Sequence, residues 1–336
     1  IGDVADAQTC PPNIDFETGT FNGWKCYIGT ADTVDGTNVI ALTQASGPVF
    51  NRQTMYTANA GNGVDRYGGF PVNCPNGSSH SIRLGNNLAG TQAEGISYEF
   101  TIPADRNIYS LIYHYAVVFQ EPNHQSYEQP RLEIEVMNVT DTTVINCASF
   151  DFIPYGTALP GFEKAPSFPG DSIPVWYKDW SAVSVNLAGN AGKTIRLFFK
   201  TADCTFRRHF GYGYVHLSSS CSGTVIGSTI CSGDAVASLT APFGYESYQW
   251  YADNTFTQVI GTNQILTLNP APAVGSQFPV VITPFPGYGC VDTVYASITV
   301  GASPLSVAGA DAVACKFQPI QLGTAPDPAF KYSWTP

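Results

Sequence analysis

Apolar and polar positions alternate along this chain in short runs with the period of a strand. From Tyr109 to Phe119, Tyr109, Leu111, Tyr113, Tyr115, Val117 and Phe119 share one face, and Ile112, His114, Ala116 and Val118 share the other. Both faces are mostly apolar, which predicts a central strand and makes His114 a hydrogen-bonded core histidine. Arg131 to Met137 keeps the same period, with Leu132, Ile134 and Val136 inward and Glu133 and Glu135 outward. Ser181–Leu187 and Thr194–Lys200 read as two more strands around the turn Ala188-Gly189-Asn190-Ala191-Gly192. Between Cys204 and Cys221, Phe210, Tyr212 and Tyr214 alternate with Gly211, Gly213 and Val215. That run predicts the last strand of a first domain, with glycines where backbones approach closely.

The connecting segments divide the chain. Residues 1–9 form a polar arm. Asn13-Ile14-Asp15-Phe16-Glu17 reads as a strand entering an acidic turn that leads to a buried Trp24. Residues 57–80 are a glycine-rich structured loop that ends in the turn Asn76-Gly77, and such loops often carry binding. From Ser222 the pattern changes to shorter strands. Cys231 precedes Tyr248 by 17 residues and Trp250 by 19, and Cys315 precedes Tyr332 and Trp334 by the same distances. A Cys, a core Trp and a second Cys, here Cys290, match the immunoglobulin-like sandwich, and they predict a Cys231–Cys290 bond. The expected organisation is all-β: an arm (1–9), a jelly-roll β-sandwich (10–221), an Ig-like β-sandwich (222–301) and the front of a further repeat (302–336). The partner of Cys315 is expected beyond residue 336.

Composition narrows the class. Charged residues are only 12% of the chain, against 18 Tyr and 20 Phe, a profile of turn-rich β-structure. A formal charge of -11 argues against a nucleic-acid ligand, which needs clustered Lys and Arg. No apolar run is long enough to span a membrane, and a start at Ile1 predicts a processed chain. The nine cysteines show no zinc-type spacing, so disulfides and an oxidising compartment are expected. Six cysteines in the first domain admit 15 connectivities. The favoured pairs are Cys10–Cys221, Cys26–Cys74 and Cys147–Cys204.

Candidate chemistry is sparse. Local motifs for serine hydrolases, metalloproteases and phosphate loops are missing, and a non-enzymatic protein without organic cofactor is expected. Glu133 and Glu135, about 7 Å apart on one strand face, have the spacing of a glycosidase acid and base, with Glu128 a third candidate. The alternative is a solvated strand face. Tyr67, Phe70, His124, Tyr127, Glu128, Arg131 and Trp176 combine aromatic plates with hydrogen-bonding groups and are the candidate sugar-binding residues. Asp15 and Glu17 are the candidate calcium ligands.

The succession NIDFETGTFNGW, DRYGGFPVNCPNG, YHYAVVFQEPNHQSYEQPRLEIEV, WYKDWSAVSVNLAGNAGKTIRLFF and HFGYGYVHLSSSC resembles the N-terminal jelly-roll domain of large secreted surface proteins of Bacteroidota. The YSWTP ending resembles the middle of a polycystic-kidney-disease-type repeat. The resemblance implies a cell-surface adhesin for surface attachment or gliding motility, exported through the periplasm by type IX secretion. It also implies a surface glycan or polysaccharide ligand, with docking to outer-membrane secretion or gliding partners as the alternative. In more distant jelly-roll modules an acidic residue of the final strand joins a first-strand Glu at calcium; here His216 stands in that neighbourhood. Asp-Ser/Thr sites at Thr33, Thr142, Ser172 and Thr293 match the O-glycosylation pattern that comes with the resemblance.

Overall fold

The computed structural model describes residues 10–300 apart from 59, 62, 107–108, 155–158, 169–171, 219–223 and 231–233. Cys221, Cys231, Cys315 and the expected repeat at 302–336 lie outside the described residues.

The alternating runs form strands β1 (Trp24–Val34), β2 (Thr37–Gln44), β3 (Gln53–Thr57), β4 (His80–Leu84), β5 (Gln92–Thr101), β6 (Ser110–Gln120) and β7 (Arg131–Asn138). They continue through β8 (Thr143–Val144), β9 (Phe150–Phe152), β10 (Glu163–Lys164), β11 (Val175–Asn186), β12 (Thr194–Ala202) and β13 (Gly211–Leu217). One sheet has the order β2-β1-β5-β12-β7-β8, with β9 also on β7, and the other has the order β10-β11-β6-β13-β4-β3. Every pairing in both is antiparallel. Strands β5, β6, β7, β11, β12 and β13 are shared alternately between the two sheets, the wrapping of a jelly roll. Ile96, Leu111, Tyr113, Val136, Leu197 and Phe199 fill the space between them. Each fully buried side chain of this size contributes about 1.5–3 kcal/mol.

The segment before β1 departs from expectation. Asn13 and Phe16 have φ of 56° and 63°, so Asn13–Glu17 is a series of turns and not a strand. The Asn13 side chain holds these turns together, donating to the carbonyls of Thr20 and Asn22 and accepting from Thr18. Phe16 stacks on Trp24 at 4.5 Å, so the apolar positions of the segment are buried without strand geometry.

Strand β6 lies inside its sheet and is covered on both faces, as its two apolar faces require. The outer face is covered by two layers. The loop between β3 and β4 lays Tyr67, Phe70 and Val72 over Ala116, Val118, Tyr212 and Tyr214. Asp65 pins that loop: Oδ2 accepts the hydroxyls of Tyr212 and Tyr214, and Oδ1 accepts the N–H of Tyr67 and Gly68. The second layer comes from the following sandwich.

That sandwich comprises β14 (Thr224–Ile230), β15 (Ala237–Thr240), β16 (Ser247–Tyr251), β17 (Val259–Gly261), β18 (Ile265–Leu268), β19 (Gln277–Thr283) and β20 (Asp292–Val300). Its larger sheet runs β14-β20-β19-β16-β17, with β14 parallel to β20, and β15 pairs with β18. Trp250 is fully buried at its centre, and its indole N–H donates to the carbonyl of Asn263. Its core includes Ala182 of β11, with Ile112 of β6 packed against it, so the jelly-roll sheet serves as a wall of the second core. The segment Phe243–Tyr245 makes the junction. Phe243 stacks on His114 at 4.8 Å, and Gly244 accepts the Ala182 N–H. Gly244 has φ of 94°, and a Cβ there would lie 2.8 Å from the Ala182 nitrogen, so the approach needs glycine. Lys178 is also buried here, with Nζ 3.3 Å above the Phe285 ring, and desolvation lowers its pKa to about 8.

The disulfides differ from the expected pairs. Cys147 is bonded to Cys290, not to Cys204, and Cys290 is therefore not bonded to Cys231. The reason is position: Cys290 lies in the turn between β19 and β20, facing the jelly roll where Tyr288 stacks on Phe152. Cys26 and Cys74 are free thiols. Cys26 belongs to the core between the jelly-roll sheets, whereas Cys74 lies in the cluster outside the β6 sheet, so that sheet separates them. Cys204 is free as well. Cys10 is disulfide-bonded, and its expected partner Cys221 is outside the described residues.

Candidate functional site

Three connections meet at one end of the jelly roll: the β1–β2 hairpin, the β6–β7 loop and the β12–β13 turn. Polar contacts join them. Asn38 donates to the carbonyl of Tyr127, Thr33 Oγ1 to Thr205 Oγ1, and the Thr205 N–H to the carbonyl of Glu128.

Within the β6–β7 loop, Glu121 accepts from the Asn123 N–H and from the Gln129 amide, and Glu128 accepts from the Gln125 N–H. Arg131 donates to the carbonyl of Ser126 at 2.7 Å. The β12–β13 turn is anchored by Asp203, whose two carboxylate oxygens take the N–H groups of Gly211 and Gln92. Burial, moderated by those two hydrogen bonds, pushes the Asp203 pKa up to about 8. Cys204 N–H donates to the His209 carbonyl across the turn, and Arg207 at its tip has φ of 63°.

The turn lifts Phe206, Arg207 and Arg208 into solvent, with Phe206 54% exposed. The Phe206 ring meets the edge of His124 at 4.9 Å, and His124 in turn meets His209 at 5.1 Å. An exposed ring braced edge-on against a histidine offers an apolar plate to the face of a sugar. The adjacent guanidinium groups offer planar donor forks for hydroxyls or carboxylates.

Of the candidate sugar-binding residues, His124, Tyr127, Glu128 and Arg131 come together here. Tyr127 and Glu128 are half-buried, and Arg131 is buried. Trp176 lies at the same end, opposite Phe119, but packs half-buried against the inter-sheet core. Tyr67 and Phe70 are buried between the β3–β4 loop that carries them and the sheet, and present no plate to solvent. Their aromatic character serves packing, with Tyr67 5.3 Å from Phe210. Phe206, Arg207, Arg208 and His209 stand at this end without having been among the candidates, and Cys204, expected in a bond to Cys147, stands with them as a free thiol. The available signal was two adjacent arginines beside a phenylalanine in a chain of net charge -11.

The other candidates are placed apart. Glu133 pairs with Lys200 at 2.8 Å and Glu135 with Arg196 at 2.6 Å, across neighbouring strands on the outer face of the first sheet. Glu17 accepts the N–H groups of Ser79 and His80, and Asp15 accepts that of Glu17. Among the described residues, neither Asp15 nor Glu17 joins a group of three acidic, histidine or cysteine ligands. Thr142 and Ser172 are exposed, whereas Thr33 and Thr293 are half-buried.

No family model and no curated protein matches the chain. Solved structures share partial likeness. The carbohydrate-binding module TmCBM61, in complex with beta-1,4-galactotriose, matches at 12% identity over 63% of this chain and 98% of its own, with a TM-score of 0.31. The family 11 carbohydrate-binding module of the Clostridium thermocellum cellulase Lic26A-Cel5E matches at 6% identity over 58% and 85%, with a TM-score of 0.23. The adhesin domain of Epf from Streptococcus pyogenes matches at 8% identity over 67% and 78%, with a TM-score of 0.17. At these scores nothing about ligand or activity is carried over from them.

Proposed function

We propose that this chain is a non-enzymatic, glycan-binding adhesin module of a secreted cell-surface protein, and that the three-loop apex is its recognition surface. The observation that carries the reading is Phe206, exposed and braced against His124 beside Arg207 and Arg208 on a turn fixed at both ends. The exposed guanidinium pair favours glycans bearing carboxylate or sulfate groups. The Cys147–Cys290 bond suits an oxidising, extracellular setting. The cross-strand pairing of Glu133 and Glu135 supports an ion-paired strand face over a glycosidase acid and base. Surface attachment, including gliding motility, and export by type IX secretion belong to this reading through the sequence resemblance.

A glycan array probed with the full chain and with Phe206→Ala tests it. The expected result is binding to acidic glycans that falls about fivefold or more in the variant, with unchanged melting temperature, since a ring-stacking contact contributes on the order of 1 kcal/mol. Absence of any glycan binding, with retention of outer-membrane proteins by the same chain, would replace this reading with the docking one.

A further inference from the structure

Cys204 is a thiol surrounded by imidazole. Its Sγ lies 3.3 Å from His124 Nδ1, and one ligand atom from each of His124, Cys204 and His209 lies within 4.8 Å of the other two. Cys204 has no exposed surface and no disulfide partner. His209 is 7% exposed, and its Nδ1 is buried without a hydrogen-bond partner. A buried polar atom left in that state costs free energy that a bond to a metal would recover.

We propose that His124, Cys204 and His209 form a binding site for a zinc-class divalent cation, with a fourth position facing solvent. One sulfur and two imidazole ligands suit a borderline-soft ion, whereas calcium and magnesium take oxygen. Tetrahedral zinc, with bonds of about 2.0–2.3 Å, holds its ligand atoms roughly 3.3–3.6 Å apart. The Cys204–His124 pair already has that separation. The His209 ligand atom, within 4.8 Å of the other two, would be brought in by side-chain rotation.

The backbone supports the same reading. Cys204 and His209 are carried on a single turn closed by the Cys204 N–H to His209 carbonyl bond, and the Phe206 N–H donates to Cys204 Sγ at 3.4 Å. His124 comes from the facing loop, whose position is fixed by the Gln129 amide on the His124 carbonyl. Its half-exposed ring leaves the solvent side open for a water or a ligand oxygen. Binding releases the thiol proton to solvent and transfers no electrons. The site does not depend on glycan recognition, although it would tie the turn that carries Phe206 to the β6–β7 loop.

The test uses the full chain, stripped of metal by chelator and without reductant so that Cys147–Cys290 stays intact, and titrated with Co2+ and then Zn2+. A thiolate-to-cobalt charge-transfer band and strong visible bands of tetrahedral cobalt should saturate at a single metal per chain and disappear on adding zinc. Cys204→Ser should abolish the charge-transfer band, and His124→Ala, at a half-exposed position, should weaken zinc binding at least about tenfold. Cys26→Ser and Cys74→Ser should leave both unchanged. A native chain without the charge-transfer band overturns the proposal, as does a band that survives Cys204→Ser. Should Cys204→Ser fail to fold, undiminished zinc binding by His124→Ala overturns it equally.

Discussion

Cys147 and Cys290, 143 residues apart in sequence, are bonded with their Cα atoms 5.1 Å apart, joining the jelly roll to the sandwich that follows it. Beside the bond, Phe152 stacks on Tyr288 at 4.5 Å, so the covalent link and an aromatic contact occupy one junction. The second sandwich has no described cysteine bonded within itself.

Removing the link should therefore weaken the junction more than either core. For Cys147→Ser with Cys290→Ser, a stability loss of about 2–5 kcal/mol is expected. Scanning calorimetry should show the single transition of the native chain splitting, with the second sandwich melting first. An unchanged transition temperature would show that packing alone holds the junction.

Acid should act on the same junction from its other side. His114 is buried under Phe243 with its ring 6.0 Å from His216. Desolvation, then the neighbouring His216, lowers the His114 pKa from 6.5 to about 3, and desolvation lowers that of His216 to about 4. Between those values and 6.5 the unfolded chain binds more protons than the folded one, so stability falls as pH drops through that window. The loss should reach at least about 3 kcal/mol near pH 4, because each pKa unit is worth about 1.4 kcal/mol. Denaturant melts from pH 7 to pH 4 measure it. His114→Phe should flatten the dependence, and a slope equal to the wild type in that variant would remove the histidine from the account.

Asp65 holds the β3–β4 loop onto the sheet. Asp65→Ala leaves the hydroxyls of Tyr212 and Tyr214 and the N–H groups of Tyr67 and Gly68 without their acceptor. A destabilisation of about 3 kcal/mol or more is expected, since each buried unpaired group costs about 1–3 kcal/mol. Hydrogen exchange should rise selectively across Val64–Val72. Uniform exchange over both sandwiches would mean that the loop is not a separate unit.

Period-two alternation alone determined that this chain is all-β and that β6 is central. A strand with two apolar faces must be covered twice, whatever covers it. Trp250 was picked out by its spacing to Cys231 and Cys290, and it is buried although Cys290 bonds elsewhere, because a large apolar ring in a strand packs inward whatever the cysteines do. Alternation was misleading at Asn13–Glu17, where side-chain hydrogen bonds from Asn13 bury the same apolar residues through turns.

Only the tertiary structure decided which cysteines meet. Cys26 and Cys74 lie on opposite sides of the β6 sheet, and Cys290 faces another sandwich, relationships that no spacing encodes. His124, Tyr127, Glu128 and Arg131 could be grouped from the sequence, because they lie close together on the β6–β7 loop and the first residue of β7. The group of His124, Cys204 and His209 could not, because its ligands come from two connections 80 residues apart. Pairing of β12 with β7, with Ala202 opposite Arg131, brings those connections to the same end of the sandwich, and that register is a property of the folded sheets.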